Sequence, residues 1–262
     1  MAIVTKILVL IYFIALKLHI QVPWISSTSI LFCFLYFIFI DNKTKYISKI
    51  LFSVLWLNIA LMNGERTQVL VSMLGLIIYI FINKFKNHKK IYALFFIVVS
   101  SLLVLIPIIY TVLSLSEYRW SLDSMAIQFT GSRFFSGRDT VWAVLLNNYL
   151  ENDIYFGAGH HLTPKLISSI EYSAHNTYII ILVRTGLIGL ILFFNFLKQI
   201  WMSYFKNLNN KYTRLSATYF LTILLKQSSE MGLIGNNMAL SVISWIIICF
   251  GFFYTNSDSY LK

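Results

Sequence analysis

The sequence is poor in charged residues and in cysteine. Only 12% of its 262 residues are charged and 58% are hydrophobic, whereas soluble domains carry about 25% charged residues. This composition excludes a soluble globular domain. The only two cysteines, Cys33 and Cys249, lie inside apolar runs, where a free thiol packs as a small apolar side chain. They therefore indicate neither a disulfide framework nor a redox compartment.

Acidic residues are especially scarce, with 10 Asp and Glu against 21 Lys and Arg. The chain has no D-x-D motif, and we interpret its one E-x-D motif, Glu151-Asn-Asp153, as a solvated helix end. His160 and His161 are adjacent, so their side chains tend to point apart, and no third ligand stands out beside them. We therefore predict no metal and no cofactor.

The net charge of +11 does not indicate nucleic-acid binding, because the lysines lie in short loops between apolar runs and form no basic face. Such loops mark the cytoplasmic side of a membrane protein, so we predict that both termini and the loop 198–214 are inside. Every arginine except Arg214 falls on the outer side. Arginine offers a planar fork that grips phosphate, which favours an anionic ligand there; the alternative is chance among few residues.

Apolar runs of the length that a helix needs to cross a bilayer, about 20 residues, recur along the chain. We predict an all-α integral membrane protein with about eight transmembrane helices. We expect its functional site on the outer face of the membrane. The predicted spans are Ile3–His19, Val22–Ile40, Tyr46–Met62, Thr67–Ile82, Ile91–Leu113, Thr177–Phe196, Leu215–Leu225 and Asn237–Tyr254.

One long outer loop, residues 114–176, separates the fifth and sixth spans. Loops of this length are usually functional or disordered, and this one is not of low complexity. Helix-capping residues at Ser136–Thr140 precede apolar residues at roughly helical spacing up to Leu150. The loop is therefore predicted to contain a short amphipathic helix that lies on the membrane surface. A turn-rich segment, Gly157-Ala-Gly159, follows it.

The end of this loop carries a polar pair, His175-Asn176, directly before the sixth span. Asn176 is a good N-cap for that helix, and His175 alone is compatible with an ordinary residue at the membrane interface. The pair is followed after nine residues by Gly186-x-x-Gly189. This pattern resembles the H-[NSQ]-x9-G-x-x-G signature of the O-antigen ligase and O-antigen polymerase superfamily of bacterial membrane proteins.

Two further features agree with the resemblance. Arg66 stands where a predicted span begins after a short outer turn, and Gly137-Arg138 precedes Trp142 ahead of the Gly-Ala-Gly turn. The resemblance divides the chain into an N-terminal helical pair (1–45), a family-like catalytic core (46–196) and a C-terminal helical pair (197–262).

The resemblance implies transfer of a glycan from a polyprenyl pyrophosphate carrier to an acceptor sugar hydroxyl by a metal-independent inverting glycosyltransferase. It implies a multi-pass protein of the bacterial inner membrane whose partners are the lipid-linked oligosaccharide, the bilayer and a chain-length regulator. The residue types permit the roles: His175 as general base, with Arg66 and Arg138 binding the pyrophosphate.

Several alternatives remain open at the level of sequence. Arg184 lies within the sixth span, where an ionisable residue is costly; it either reaches toward the interface, pairs with Glu230 or Glu65, or helps to bind pyrophosphate. Gly186 and Gly189 allow close helix packing or a kink. A polymerase of O-antigen or capsule is favoured over a ligase that transfers to the lipid A core of lipopolysaccharide. The alternative of another class is a non-catalytic transporter of lipid-linked sugars.

Overall fold

The computed structural model describes residues 27–40, 46–50, 53–54, 66–131, 133–135, 137–151, 153–159, 175–229, 233 and 238–256. Every regular element in these ranges is helical, which agrees with the predicted all-α class. In chain order the elements are α1 (Ser27–Phe39), α2 (Arg66–Ile82), a 3-10 turn (Asn83–Phe85), α3 (Lys89–Leu115), α4 (Arg119–Thr130), α5 (Arg138–Glu151), α6 (Thr177–Phe205), α7 (Lys211–Lys226) and α8 (Met238–Asn256).

Two of these helices are long and apolar enough to cross a membrane. They are α3, with 27 residues, and α6, with 29 residues; an 18-residue window has a mean hydropathy of 2.7 in α3 and of 2.3 in α6. Shorter apolar helices cover Val69–Phe85 and Ser241–Phe252. Helices therefore lie at most of the predicted spans, but Ile3–His19 is outside the described residues. The count of eight spans stays a prediction.

In the described part of the long loop 114–176 there are two helices, where the sequence predicted one. The predicted helix exists as α5, but α4 was not predicted. The apolar residues of α4 do not form one buried stripe, since Trp120 and Phe129 are largely exposed. A helix without such a stripe lacks the apolar periodicity by which it is predicted from sequence. α4 ends at Gly131, whose left-handed conformation (φ 70°) and N–H bond to the Ile127 carbonyl make a C-cap that residues with a Cβ adopt only with strain.

The chain divides into two compact units. Unit 1 comprises Met1–Leu94, Gln199–Lys226 and Gly232–Lys262, and unit 2 comprises Phe95–Lys198 and Gln227–Met231. In unit 1, α7 packs against α1, α2 and α8. α7 is buried around almost its whole circumference from Leu215 to Leu224. The span predicted there, Leu215–Leu225, was the shortest of the eight.

The core of unit 2 joins α5 to the first half of α6. Trp142, Leu145 and Tyr149, at helical spacing on α5, pack with Leu182 and Val183 of α6. The apolar stripe of α5 thus faces protein, while Val144 and Leu150 on its other side are exposed. Burial of the stripe fixes the orientation of α5. It thereby also fixes the position of Arg138, the first residue of α5.

Candidate functional site

The first turn of α6 is capped by Asn176, as the sequence predicted. Asn176 Oδ1 accepts hydrogen bonds from the backbone N–H groups of Tyr178 and Ile179, each at 3.0 Å. The side chain is 0% exposed. Its Nδ2 donates to the Ser228 carbonyl at 3.0 Å. One amide therefore satisfies free donors of the helix end and ties that end to a second segment.

The second segment, Gln227–Ser229, follows α7 directly. The Thr177 backbone N–H donates to the Gln227 carbonyl at 3.1 Å, and the Thr177 hydroxyl donates to Gln227 Oε1 at 2.8 Å. Both residues are buried. Together with the Asn176 bond, these contacts hold the Gln227–Ser229 segment firmly against the beginning of α6.

The Arg138 side chain binds the same segment, Gln227–Ser229. Its Nη1 donates to the Ser229 carbonyl at 2.9 Å, one residue beyond the Ser228 carbonyl that Asn176 binds. Arg138 and Asn176, 38 positions apart in sequence, thereby meet on consecutive carbonyls. The structure thus brings the Arg138 guanidinium to the part of unit 2 where His175 precedes the N-terminus of α6.

His175 has an unusual backbone conformation. It is the one described residue other than glycine with a positive φ, 45°. Histidine adopts this left-handed region more readily than most side chains, but the conformation still costs on the order of 1–3 kcal/mol and clusters at functional sites. The side chain is exposed. A solvent-accessible imidazole therefore stands beside a fixed helix end that disfavours positive charge.

Asp139 fixes the backbone next to Arg138. Its carboxylate is 0% exposed and forms an ion pair with Arg119, Oδ2 to Nη2 at 3.1 Å. The other oxygen, Oδ1, accepts from the Gly137 backbone N–H at 3.0 Å. Gly137 has a φ of 85°, a conformation in which a residue with a Cβ is strained. The turn that begins α5, and so the base of the Arg138 side chain, is held by a buried carboxylate.

α6 is broken at Gly186, where φ is 65° and ψ is −168°. The intact helix would close with bonds from Leu187 and Ile188 back to Val183 and Arg184. Instead, Leu187 N donates to the Ile154 carbonyl at 3.0 Å and Ile188 N donates to the Tyr155 carbonyl at 3.2 Å.

The two carbonyls released on the other side of the break are also satisfied. Ala158 N donates to Val183 O at 2.8 Å, and Gly159 N donates to Arg184 O at 3.0 Å. The turn Ile154–Gly159 therefore replaces the missing helical bonds on both sides of the break. Of the two roles predicted for Gly186, the kink is the one observed.

Glycine is required on both sides of this crossing. A Cβ on Gly186 would lie 2.2 Å from the Tyr155 carbonyl oxygen, and a Cβ on Gly157 would lie 2.6 Å from the Gly186 nitrogen. Gly189 has a different neighbour, because a Cβ there would meet the Thr185 hydroxyl of the same helix at 2.0 Å. Gly186 of the signature and the two glycines of the Gly-Ala-Gly turn thus form one backbone crossing, to which Gly189 does not belong.

Two side chains near the end of α5 shape the crossing turn. Asp153 Oδ1 accepts from the backbone N–H groups of Tyr155 and Phe156, at 2.8 and 3.2 Å. The Tyr149 hydroxyl donates to the Ile154 carbonyl at 2.8 Å. Burial, with the Asp153 carboxylate as a second cause, raises the pKa of Tyr149. The phenol therefore stays protonated, and remains a donor, over the physiological range.

No described side-chain contact joins the other predicted site residues to Arg138, Asn176 or His175. Arg184 is exposed, about 10 Å along α6 from Thr177 at ~1.5 Å per residue, so its role stays a prediction. Arg66 begins α2 in unit 1, and its side chain lies outside the description. His160 and His161 also lie outside the described residues.

Sequence reasoning missed the residues that hold the site together. Ser228 and Ser229 contribute backbone carbonyls, which leave no side-chain signature, although a polar stretch directly after an apolar span was visible. Asp139 was considered only as a capping residue, and its ion pair with Arg119 joins two helices of the loop. Such pairs depend on a tertiary arrangement that local spacing does not report.

The comparisons with known proteins give one match. Residues 51–194, more than half of the chain, match the protein-family model described as O-antigen ligase. No curated protein and no solved structure matches the chain. The matched region contains the Arg138 turn, the Gly157–Gly159 turn, His175-Asn176 and the break at Gly186. The chain therefore belongs to the O-antigen ligase family.

Proposed function

We propose that this protein transfers a glycan from a polyprenyl pyrophosphate carrier to the hydroxyl of an acceptor sugar, as a surface polysaccharide polymerase. Membership of a family of glycosyltransferase-like membrane enzymes supports the general reaction. The observation that carries the proposal is the meeting of Arg138 and Asn176 on the consecutive carbonyls of Ser229 and Ser228, beside the exposed His175.

The chemistry needs a proton acceptor and a partner for the leaving group. As the acceptor oxygen bonds to the anomeric carbon, its proton passes to the neutral imidazole of His175, a step worth roughly 10²–10⁴-fold in rate. The bond from the anomeric carbon to the phosphate oxygen breaks with inversion, and its electron pair stays on the departing polyprenyl pyrophosphate.

Arg138 is suited to receive this charge. One of its N–H groups binds the Ser229 carbonyl, which positions the guanidinium, and the remaining donors are compatible with a bidentate contact to phosphate. In this proposal Arg66 and Arg184 bind further pyrophosphate oxygens. Asn176 keeps the position of the imidazole fixed, and no metal or cofactor takes part.

We place the protein in the bacterial inner membrane with about eight spans, and the site on the outer face. A polymerase uses a second lipid-linked glycan as acceptor, whereas a ligase uses lipid A core. Supplying purified protein with each acceptor in turn distinguishes the two reactions. A non-catalytic transporter of lipid-linked sugars would release no polyprenyl pyrophosphate with either acceptor.

The test of the proposal uses Arg138→Lys, with Arg133→Lys as the matched control. Arg133 lies in the same outer segment and is exposed, but no role is assigned to it. We expect Arg138→Lys to lose at least about tenfold in the rate of polyprenyl pyrophosphate release, because lysine keeps the charge without the fork. Arg133→Lys is expected to match the wild type. Equal rates for all three proteins would contradict the proposal.

A further inference from the structure

A cavity separate from the site at the beginning of α6 lies between α3 and the second half of α6 in unit 2. Its volume is about 490 Å³, within the range of roughly 300–1,000 Å³ that is usual for small-molecule sites. Most of the lining is apolar, from Phe96 to Leu105 on α3 and from Leu190 to Phe194 on α6. We call this cavity the α3–α6 groove.

Four polar residues break the apolar lining. Asn195 and Lys198 lie toward one end of the groove, and Ser100 and Ser101 lie on its α3 wall. Ser100 is buried, and its hydroxyl has no hydrogen-bond partner among the described residues. No described carboxylate forms an ion pair with Lys198. An apolar groove that ends at a cation without a described acidic partner is complementary to an amphiphile with an anionic head.

The length of the groove corresponds to one leaflet. From Leu190 to Lys198 the helix rises about 12 Å, at ~1.5 Å per residue, and half of the hydrocarbon core of a bilayer is about 15 Å thick. The apolar lining therefore suits a single lipid chain that extends from the Lys198 end toward the bilayer centre. Ile97 and Ile191, which line the groove, are exposed, so a lipid reaches it from the side.

We propose that the α3–α6 groove binds one acyl chain of an anionic phospholipid, with its phosphate at Lys198 and Asn195. The groove is distinct from the donor site. Lys198 follows Thr177 by 21 residues, about 30 Å along the chain at ~1.5 Å per residue, and lies on the far side of the break at Gly186. The proposal does not depend on the proposed glycan transfer.

The experiment uses the full chain in nanodiscs that contain a phosphatidylglycerol probe with a diazirine in one acyl chain, and the matching phosphatidylcholine probe. We expect the phosphatidylglycerol probe to label peptides from Phe96–Leu105 and Leu190–Lys198 preferentially. Ser101→Trp fills the groove and is expected to abolish the labelling. Lys198→Glu is expected to reduce it about fivefold or more, the effect of about one surface charge on an anionic lipid.

Two control variants separate groove binding from general lipid contact. Leu102→Trp changes an exposed neighbour that does not line the groove, and Lys206→Glu makes the same charge change one residue beyond the end of α6. Both are expected to label like the wild type. Equal labelling of all variants, or by both probes, would overturn the proposal, as would dimers that Ser101→Trp disrupts while lipid labelling is unchanged. The two glutamate variants keep the test valid if Ser101→Trp does not fold.

Discussion

Substitution of Gly186 by alanine should damage the protein far more than substitution of Gly131 or Gly159, which also have positive φ. At Gly186 the φ of 65° and ψ of −168° belong to a region that is essentially reserved for glycine and costs a non-glycine residue about 1–3 kcal/mol. The new Cβ would also meet the Tyr155 carbonyl at 2.2 Å, which is backbone and has no rotamer to move away.

The second part of the cost is the loss of the crossing. Moving the Ile154–Gly159 turn away from the Cβ breaks the bonds to Val183 O and Arg184 O and those from Leu187 N and Ile188 N. Each such bond contributes about 0.5–1.5 kcal/mol net, so the whole crossing is worth about 2–6 kcal/mol. Together with the backbone strain, Gly186→Ala should lower the free energy of unfolding by about 3–9 kcal/mol.

The matched controls are Gly131→Ala and Gly159→Ala. Both positions have positive φ, but a Cβ at either one meets nothing within 4 Å, so only the left-handed strain of about 1–2 kcal/mol applies. Gly157→Ala, whose Cβ would meet backbone at 2.6 Å, should resemble Gly186→Ala. Unfolding in mixed micelles, followed by tryptophan fluorescence, measures the series. A free energy for Gly186→Ala equal to that of Gly131→Ala would refute the reasoning.

Three further predictions concern the supports of the site. Asn176→Asp should keep the helix cap, because a carboxylate oxygen still accepts, but lose the donor to Ser228; Asn176→Ala should lose both, at about 1–3 kcal/mol in unfolding experiments. Asp139→Asn should weaken the contact with Arg119 and lower turnover more than protein level, as read by kcat and by thermal unfolding; unchanged kcat would remove Asp139 from the support of the site. The raised pKa of Tyr149 adds stability that is present below its ordinary pKa of 10.0 and is lost as pH rises through the folded value; a pH titration of unfolding should show this loss in the wild type but not in Tyr149→Phe.

The sequence predicted what depends on local residues. Asn176 was identifiable as an N-cap because the residue type and the apolar run after it are adjacent in sequence. The break at Gly186 was predicted only as one of two roles, because a kink in a membrane helix needs a partner for the freed backbone groups. That partner, the Gly157–Gly159 turn, is close in space and not in sequence, so its contact with Gly186 was not predictable.

Two other features could not be predicted from the sequence, for a related reason. The Ser228 and Ser229 carbonyls bind Asn176 and Arg138 through backbone atoms, and any sequence at those positions presents the same acceptors. The left-handed conformation of His175 is set by how the chain enters the capped helix. The motif therefore predicted the site residues, whereas the fold shows how Asn176, Arg138 and Gly186 are held in position.

The most direct test of the account compares His175→Gly with His175→Ala. Glycine adopts the φ of 45° seen at this position without strain, whereas alanine does so at a cost of about 1–2 kcal/mol. His175→Gly should therefore keep wild-type stability and donor binding, and His175→Ala should be slightly less stable.

The measurement is the release of polyprenyl pyrophosphate by each purified protein at saturating donor, with and without added imidazole. If His175 is the general base, both variants should lose roughly 10²–10⁴-fold in rate, and imidazole should restore part of the activity of His175→Gly. Wild-type turnover by His175→Gly would contradict the account and leave His175 as a residue that only shapes the backbone before α6.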